Sequence, residues 1–139
     1  MDWQDDGYCF CCGKDNPVGM KLKFVPDGDE LTTTLTPDRV FQGWAGIVHG
    51  GILSTVMDEL MAHVLIARGD TAATVKMEVS FKKPARVGEK LTFRGRLLGE
   101  NRRLREVEAR TFNEAGEMVA EAKGTFVTLR KQEGGTLGL

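Results

Sequence analysis

The stretch IVHGGILSTVMDELMAHVL, residues 47–65, is the one long helical pattern in this chain. At about 100° per residue, Ile52, Leu53, Val56, Met57, Leu60, Met61, Val64 and Leu65 spread over more than half of the helix circumference. A surface helix needs only an apolar stripe, so this helix is predicted to be enclosed on most sides, and the rest of the chain must supply the enclosure. Asp58 falls beside the apolar arc. Burying a carboxylate is costly unless it is paired or used, so its position demands an explanation.

The remaining sequence reads as strands. MKLKFV over 20–25 alternates apolar and basic residues, Pro26-Asp27-Gly28-Asp29 is a turn, and ELTTTLT returns as a second, threonine-rich strand. Residues 37–46 form a Gly-rich loop with Phe41 and Trp44 as its anchors. After the helix, further strands are predicted over 72–83, stopped by Pro84, and over VGEKLTFRGRLLGEN, RLREVEARTFN and MVAEAKGTFVTLR, with a hairpin turn at Glu114-Ala115-Gly116-Glu117. Short turns between successive strands imply antiparallel pairing. A sheet with one apolar face must cover it, and a single helix is available. The expected architecture is α+β: a curved antiparallel sheet of about six strands wrapped around one long central helix. Residues 1–19 are expected to be an N-terminal loop segment, 20–130 one domain and 131–139 a frayed tail.

A chain of 139 residues can bury one core, and assembly would bury more surface. The net charge of −1 provides no general attraction to nucleic acid or anionic lipid. No apolar run approaches a membrane span, and the acidic start Met1-Asp2-Trp3-Gln4-Asp5-Asp6 lacks the marks of a signal peptide, so a cytoplasmic protein without membrane or nucleic-acid partners is expected. Cys9, Cys11 and Cys12 sit in one short stretch, which argues against a disulfide framework. Cys9 and Cys12 form a C-x-x-C pair, but a structural zinc site usually takes four ligands, and the only histidines, His49 and His63, lie on or beside the helix. The expectation is therefore a reduced, partly buried loop and no metal.

VHGGILSTVMDE resembles the signature of the PaaI-like acyl-CoA thioesterases of the hotdog fold, in which His-Gly-Gly opens the central helix and an acid follows nine positions after the histidine. Asp58 fills that position. CFCCGKDNPVGMKLKF is similar to the opening of a PaaI-like subgroup, and VSFKKPARVGEKL to the family's strand ending in a Pro-Ala turn. The likeness runs from about residue 9 to 129. It implies acyl-CoA hydrolysis with no cofactor beyond the coenzyme A of the substrate. It also implies that the glycine amides and the acid come from different subunits, so that a homodimer is required, often paired into a dimer of dimers. The physical chemistry agrees. Gly50 and Gly51 allow close backbone approach, and helix-terminal N–H groups lack intrahelical partners, so they can polarise a thioester carbonyl. Asp58 would activate water or attack directly. Gly51 and Asp58 are two turns apart, about 10 Å, too far for one chain to place both on one carbonyl.

Each candidate has a plainer role. His49 is expected to cap the helix or pack on the loop rather than transfer protons. Glu59 is expected to pair with His63. Ser54 and Thr55 either bond a nucleophilic water or bond back to the helix. Lys82, Lys83 and Arg86 either meet coenzyme A phosphates or form a solvated basic loop, and Arg102, Arg103 and Arg105 are read as a charged hairpin face. Some thioesterases of this type carry Asn or Gln in the loop before His-Gly-Gly; the position six before His49 is Gly43, with Gln42 beside it as a substitute. Two other functions fit the pattern less well. A hotdog enoyl-CoA hydratase or dehydratase would show an Asp-x-x-x-x-His pattern leading the helix, which this chain lacks. A non-catalytic acyl-CoA sensor of the repressor type would carry a DNA-binding helical module, for which residues 1–19 leave no room, whereas a bare non-catalytic acyl-CoA-binding module stays open as the alternative.

Overall fold

The computed structural model describes residues 3–131 and 137–138. Helix α1 spans Gly50–Ile66, and Leu53, Val56, Met57, Leu60, Met61, Val64 and Leu65 are buried along it. Four of these, Val56, Met57, Leu60 and Met61, are fully covered. Each such side chain contributes about 1.5–3 kcal/mol. The cover is a six-stranded antiparallel sheet made of β1 (Val25–Asp27), β2 (Glu30–Leu35), β3 (Ala72–Phe81), β4 (Leu91–Asn101), β5 (Leu104–Phe112) and β6 (Met118–Thr128). Its order is β1-β2-β4-β5-β6-β3, so the strand that follows the helix crosses to the far edge and pairs with β6. This is the hotdog architecture expected from the sequence.

The sheet meets the helix closely where side chains vanish. A Cβ at Gly95 would lie 3.0 Å from Leu60 Cγ and 3.1 Å from Val64 Cγ2, and one at Gly124 would lie 3.0 Å from Met61 Cε. Glycine at these two strand positions lets α1 lie in the concave face. Along β5 the faces alternate: Val107, Ala109 and Thr111 are buried, while Leu104 and Glu106 face out.

Several boundaries differ from expectation. Residues 20–24 are not a strand, although Leu22 is buried and Met20 and Phe24 pack on the core. Lys21 adopts φ 51, and its ammonium bonds the carbonyls of Lys14 at 2.9 Å and Asn16 at 3.1 Å. That left-handed residue breaks the extended run, and the amides of Met20 and Leu22 donate to Phe10 and Cys11 of the N-terminal segment instead of a strand. The predicted turn at 26–29 is correspondingly shorter, since Pro26 and Asp27 pair with Leu31 and Glu30. Cys11 joins the core cluster, so the N-terminal segment is packed against the body. Trp44 does not anchor its loop: it is 86% exposed. Arg105 is not a solvated hairpin charge but is largely covered and bonds Asp70 at 3.1 Å. In the tail, expected to fray, β7 (Arg130–Lys131) pairs with β8 (Leu137–Gly138); residues 132–136 and 139 lie outside the described residues.

Candidate active site

The head of α1 is built by its own sequence. His49 takes extended backbone as N-cap, and its Nδ1 accepts from Gly51 N–H at 2.9 Å. The ring nitrogen therefore holds one of the free amides of the first turn, and the imidazole that does so carries its proton on Nε2. The amides of Ile52 and Leu53 donate to the His49 carbonyl. Gly50 N–H has no partner among the described residues. Of the two amides expected to polarise a carbonyl, one is thus occupied by the histidine and one is available. Gly50 also has to be small, because a Cβ there would lie 3.2 Å from Phe81 Cζ at the end of β3.

A cleft of about 870 Å³ opens over this helix end, lined by Trp44, Ile47, Leu53, Phe81, Lys82 and Lys83 among others, with His49 and Gly50 in its wall. Its lining is chiefly apolar and its rim basic. Lys82 pairs with Glu121 at 3.4 Å and Lys83 with Glu117, all with side chains about half exposed. Such exposed pairs are worth little, so an incoming anion can displace the glutamates. Met57 and Met61 are sealed in the core, and Leu53, Ile47 and Phe81 line the cleft.

Asp58 lies two turns further along α1 and accepts a hydrogen bond from Thr74 Oγ1 at 2.7 Å. Burial pushes its carboxyl above the usual range; the Thr74 hydroxyl opposes this and the neighbouring Glu59 charge adds to it. Thr74, the partner of Asp58, is a residue that sequence reasoning missed. Along β3 the apolar residues Val75, Met77, Val79 and Phe81 share one parity, which would turn Thr74 away from the helix. A β-bulge between Thr74 and Lys76 reverses that parity. Thr74 then stands opposite Phe126 and Met77 opposite Gly124, both buried positions, so both face α1, while Val75 is left exposed.

Glu59, on the adjacent flank of the helix, bonds His63 Nε2 at 3.1 Å, and the His63 ring stacks on Phe24 with centroids 4.0 Å apart. Burial raises the Glu59 carboxyl, but hydrogen bonds from His63 and from the Cys12 and Cys9 thiols outweigh it and hold the group below the usual range. Burial pushes the Cys11 thiol up to about 12 and the Cys12 thiol up as well. Ser54 and Thr55 bond back to the carbonyls of Gly50 and Gly51 at 2.9 and 2.7 Å. Gln42 accepts from Gly46 N–H at 3.2 Å inside its own loop and does not line the cleft. Arg86 is exposed and bridges Ile47 through its backbone. The structure thus gathers His49, Gly50, Lys82 and Lys83 at one place, Asp58 with Thr74 at a second, and Glu59 with His63 at a third.

One helix cradled by an antiparallel sheet, opening through glycine onto an apolar cleft with a basic rim, defines the hotdog class. Within it, the pattern of the thioesterase superfamily matches residues 45–120, and the chain belongs to that family. Acyl-coenzyme A thioesterase 13 of Homo sapiens is 28% identical over 83 residues, and that of Mus musculus 26%. These matches cover 58% of this chain and 59% of the relative, so the chain spans about three fifths of the length of the relatives it matches. Among solved structures, a Streptococcus mutans protein bound to acetyl CoA superposes with a TM-score of 0.74 at 22% identity, covering 83% of this chain and 94% of that one. The PaaI protein of the E. coli phenylacetic acid degradation operon gives 0.73 at 18% identity, covering 78% and 83%. Among the described residues, no helix is long and apolar enough to cross a membrane.

Proposed function

We propose that the protein hydrolyses acyl-CoA thioesters in a site shared by two copies of the chain. The observation that carries this reading is the Gly50 N–H at the positive end of α1, unpartnered among the described residues, in the wall of an apolar cleft rimmed by Lys82 and Lys83. An acyl group fits the apolar lining, the carbonyl oxygen takes the amide, and the lysines meet the phosphates of coenzyme A. The relatives named as acyl-coenzyme A thioesterases and the solved neighbours holding acetyl CoA or coenzyme A support that substrate class.

The acid comes from the twin chain. Gly50 and Asp58 are eight residues apart on one helix, a rise of about 12 Å, so one chain cannot bring both to one carbonyl. Strand β3 suggests how two chains do so. It is an edge strand: Phe81 at one end touches Gly50, and Thr74 near the other bonds Asp58. These ends are about 23 Å apart. A two-fold axis through the edge pairs β3 with its copy in antiparallel fashion and exchanges the ends. If the axis passes between Met77 and Glu78, Thr74 and its Asp58 lie opposite the partner chain's Phe81-Gly50 end. The exposed Val75 and Phe81 would be covered by the same pairing. A further pairing of dimers into a tetramer belongs to the same reading.

The chemistry then runs in one of two ways. Asp58 takes a proton from water as the water oxygen attacks the carbonyl carbon; the C–S bond breaks, and the thiolate leaves and is protonated. Alternatively the carboxylate attacks, coenzyme A leaves, and water cleaves the anhydride. Thr74 holds the carboxylate oxygen in either route. Two solved variants of a hypothetical thioesterase from Streptococcus pneumoniae replace an aspartate and, sixteen positions later, a threonine by alanine, which is the separation of Asp58 and Thr74. The test is a panel of acyl-CoAs assayed by free-thiol release, with light scattering for the assembly. Turnover by a dimer or tetramer, lost in Asp58→Asn, is expected. A monomeric active enzyme, or an Asp58→Asn protein with full activity, would refute the shared site, and ligand binding without turnover would favour the sensor.

A further inference from the structure

The cluster around Glu59 on the other flank of α1 has no part in that chemistry. Cys9, Cys12 and Glu59 bring two sulfurs and a carboxylate oxygen within 4.8 Å of one another, although the residues are as much as fifty positions apart in sequence. The loop that presents the two thiols is tightly formed. Gly13 follows Cys12 directly and donates to the Cys9 carbonyl at 2.9 Å; a Cβ at Gly13 would lie 2.3 Å from Cys9 N, so only glycine closes this turn. The Cys11 amide points at Cys9 Sγ at 3.4 Å. An amide aimed at the first sulfur of a C-x-x-C-G turn favours negative charge on that sulfur, as a metal thiolate requires.

The helix contributes the matching half. Glu59 directs one oxygen at Cys9 Sγ, 3.6 Å away, and its orientation is fixed by His63 one turn later. The His63 ring cannot swing freely because it lies flat on Phe24, with an interplanar angle of 15°. A metal-bound carboxylate held by an outer hydrogen-bonding partner is the usual arrangement at such centres. Beside the cluster lies a cavity of about 440 Å³, lined by Asp5, Asp6, Tyr8, Glu59 and His63 among others, which gives an ion an entry path and leaves room for a water ligand. Two soft sulfur donors with one oxygen select a zinc-class divalent ion over magnesium or calcium, which prefer oxygen alone.

We propose that Cys9, Cys12 and Glu59 bind one zinc-class divalent ion, with His63 positioning Glu59 and the fourth ligand position open to the cavity. Binding releases the thiol protons to solvent, and no oxidant or reductant is needed. The ion pins the N-terminal segment to the middle of α1. Sequence spacing alone argues against a metal, because Glu59 is remote from the cysteines along the chain and His63 counts there only as a helix residue.

The test does not depend on turnover, so it stands or falls apart from the proposed hydrolysis. The full chain is purified without added metal, stripped with chelator, and titrated with Zn(II) and with Co(II). One equivalent of Zn(II) and a sulfur-to-cobalt charge-transfer band with tetrahedral ligand-field bands are expected. Cys9→Ser and Cys12→Ser each lose the band, Cys11→Ala keeps it, and His63→Ala weakens zinc binding by about 10- to 100-fold. Chelation should lower the wild-type melting temperature and leave that of Cys12→Ser unmoved. A folded wild-type chain that takes up no zinc and gives no thiolate band with cobalt would overturn the site. So would a band that survives Cys9→Ser and Cys12→Ser, or one that depends on Cys11.

Discussion

Two carboxylates stand side by side at the middle of α1 and have been given opposite surroundings. Asp58 faces the edge strand β3, where burial raises it and a single hydroxyl from Thr74 supports it. Glu59 faces the N-terminal segment, where burial is outweighed by an imidazole and two thiols that donate to it. The helix backbone and the charge are the same; the neighbours differ. On the proposed reading, the acid that is short of donors and held near a sheet edge is the reactive one, and the acid saturated with donors serves as a ligand. The proposed reading thus places chemistry on one flank of the helix and attachment on the other.

The hardest blow to this contrast is Asp58→Asn. On the proposed reading kcat falls by about 10³-fold or more, while the Thr74 hydroxyl keeps an oxygen acceptor and the fold is retained. The stability consequence has a definite sign. The folded-state pKa of Asp58 stands above the unfolded value, so the folded chain holds more proton between the two, and a contribution fully present below the unfolded value is lost as pH rises through the folded one. The asparagine variant, with no proton to lose at this position, would carry no such penalty. Thermal melts at pH 8 should therefore place it at or above wild type, and a clearly lower melting temperature would contradict the account of Asp58 as an acid raised by burial.

Glu59→Gln is the opposite case. It should change kcat by less than about tenfold, since an outer neighbour of the acid is being altered. It should lower the melting temperature and remove most of its sensitivity to chelator. If Glu59→Gln abolished turnover while Asp58→Asn did not, the roles of the two flanks would have to be exchanged.

Thr74→Val sharpens the contrast with a smaller effect. A hydrogen bond to a charged group is worth about 1.5–3 kcal/mol, so kcat/KM should fall by roughly 10- to 100-fold. Since the Thr74 bond lowers the Asp58 pKa, its removal lets burial raise it further, and the acid limb of the kcat/KM profile should move to higher pH. A uniform drop with an unmoved limb would mean that Thr74 only positions substrate.

What could be read in advance follows from these same residues. The enclosure of α1 was legible because Leu53, Val56, Met57, Leu60, Met61 and Val64 belong to an apolar arc wider than half the circumference, and the inward side of β5 because Val107 and Ala109 alternate with charged residues. Gly50 and Asp58 were legible as candidates because glycine at a helix head and an acid among apolar residues each run against local preference. Thr74 was not, since alternation alone puts Val75 inside, and a bulge is a one-residue register change that periodicity does not encode. Nor was the meeting of Cys9 and Cys12 with Glu59, which depends on how the first segment folds back over the helix. The short β1 was missed for the converse reason: the inward parity of Met20, Leu22 and Phe24 is real, but Lys21 sits in a left-handed conformation that no hydrophobic pattern reveals.

The smallest expected effect lies at the mouth of the cleft. Lys82 and Lys83 reach Glu121 and Glu117 through exposed pairs, so replacing both by alanine should leave the fold nearly unchanged. Each lysine offered to a phosphate is worth a fraction of a kcal/mol to about 1 kcal/mol in water, so the double variant should raise KM for acyl-CoA by about three- to tenfold and leave kcat alone. The same acyl group on pantetheine lacks the nucleotide phosphates and should show little difference between wild type and variant. Raising ionic strength should close the gap for acyl-CoA, because charges on a wet rim are screened within about 10 Å at 0.1 M salt. An equal loss on the pantetheine ester would move the lysines from the phosphates to the acyl or carbonyl end of the cleft, closer to Gly50 and to the acid chemistry on that flank of the helix.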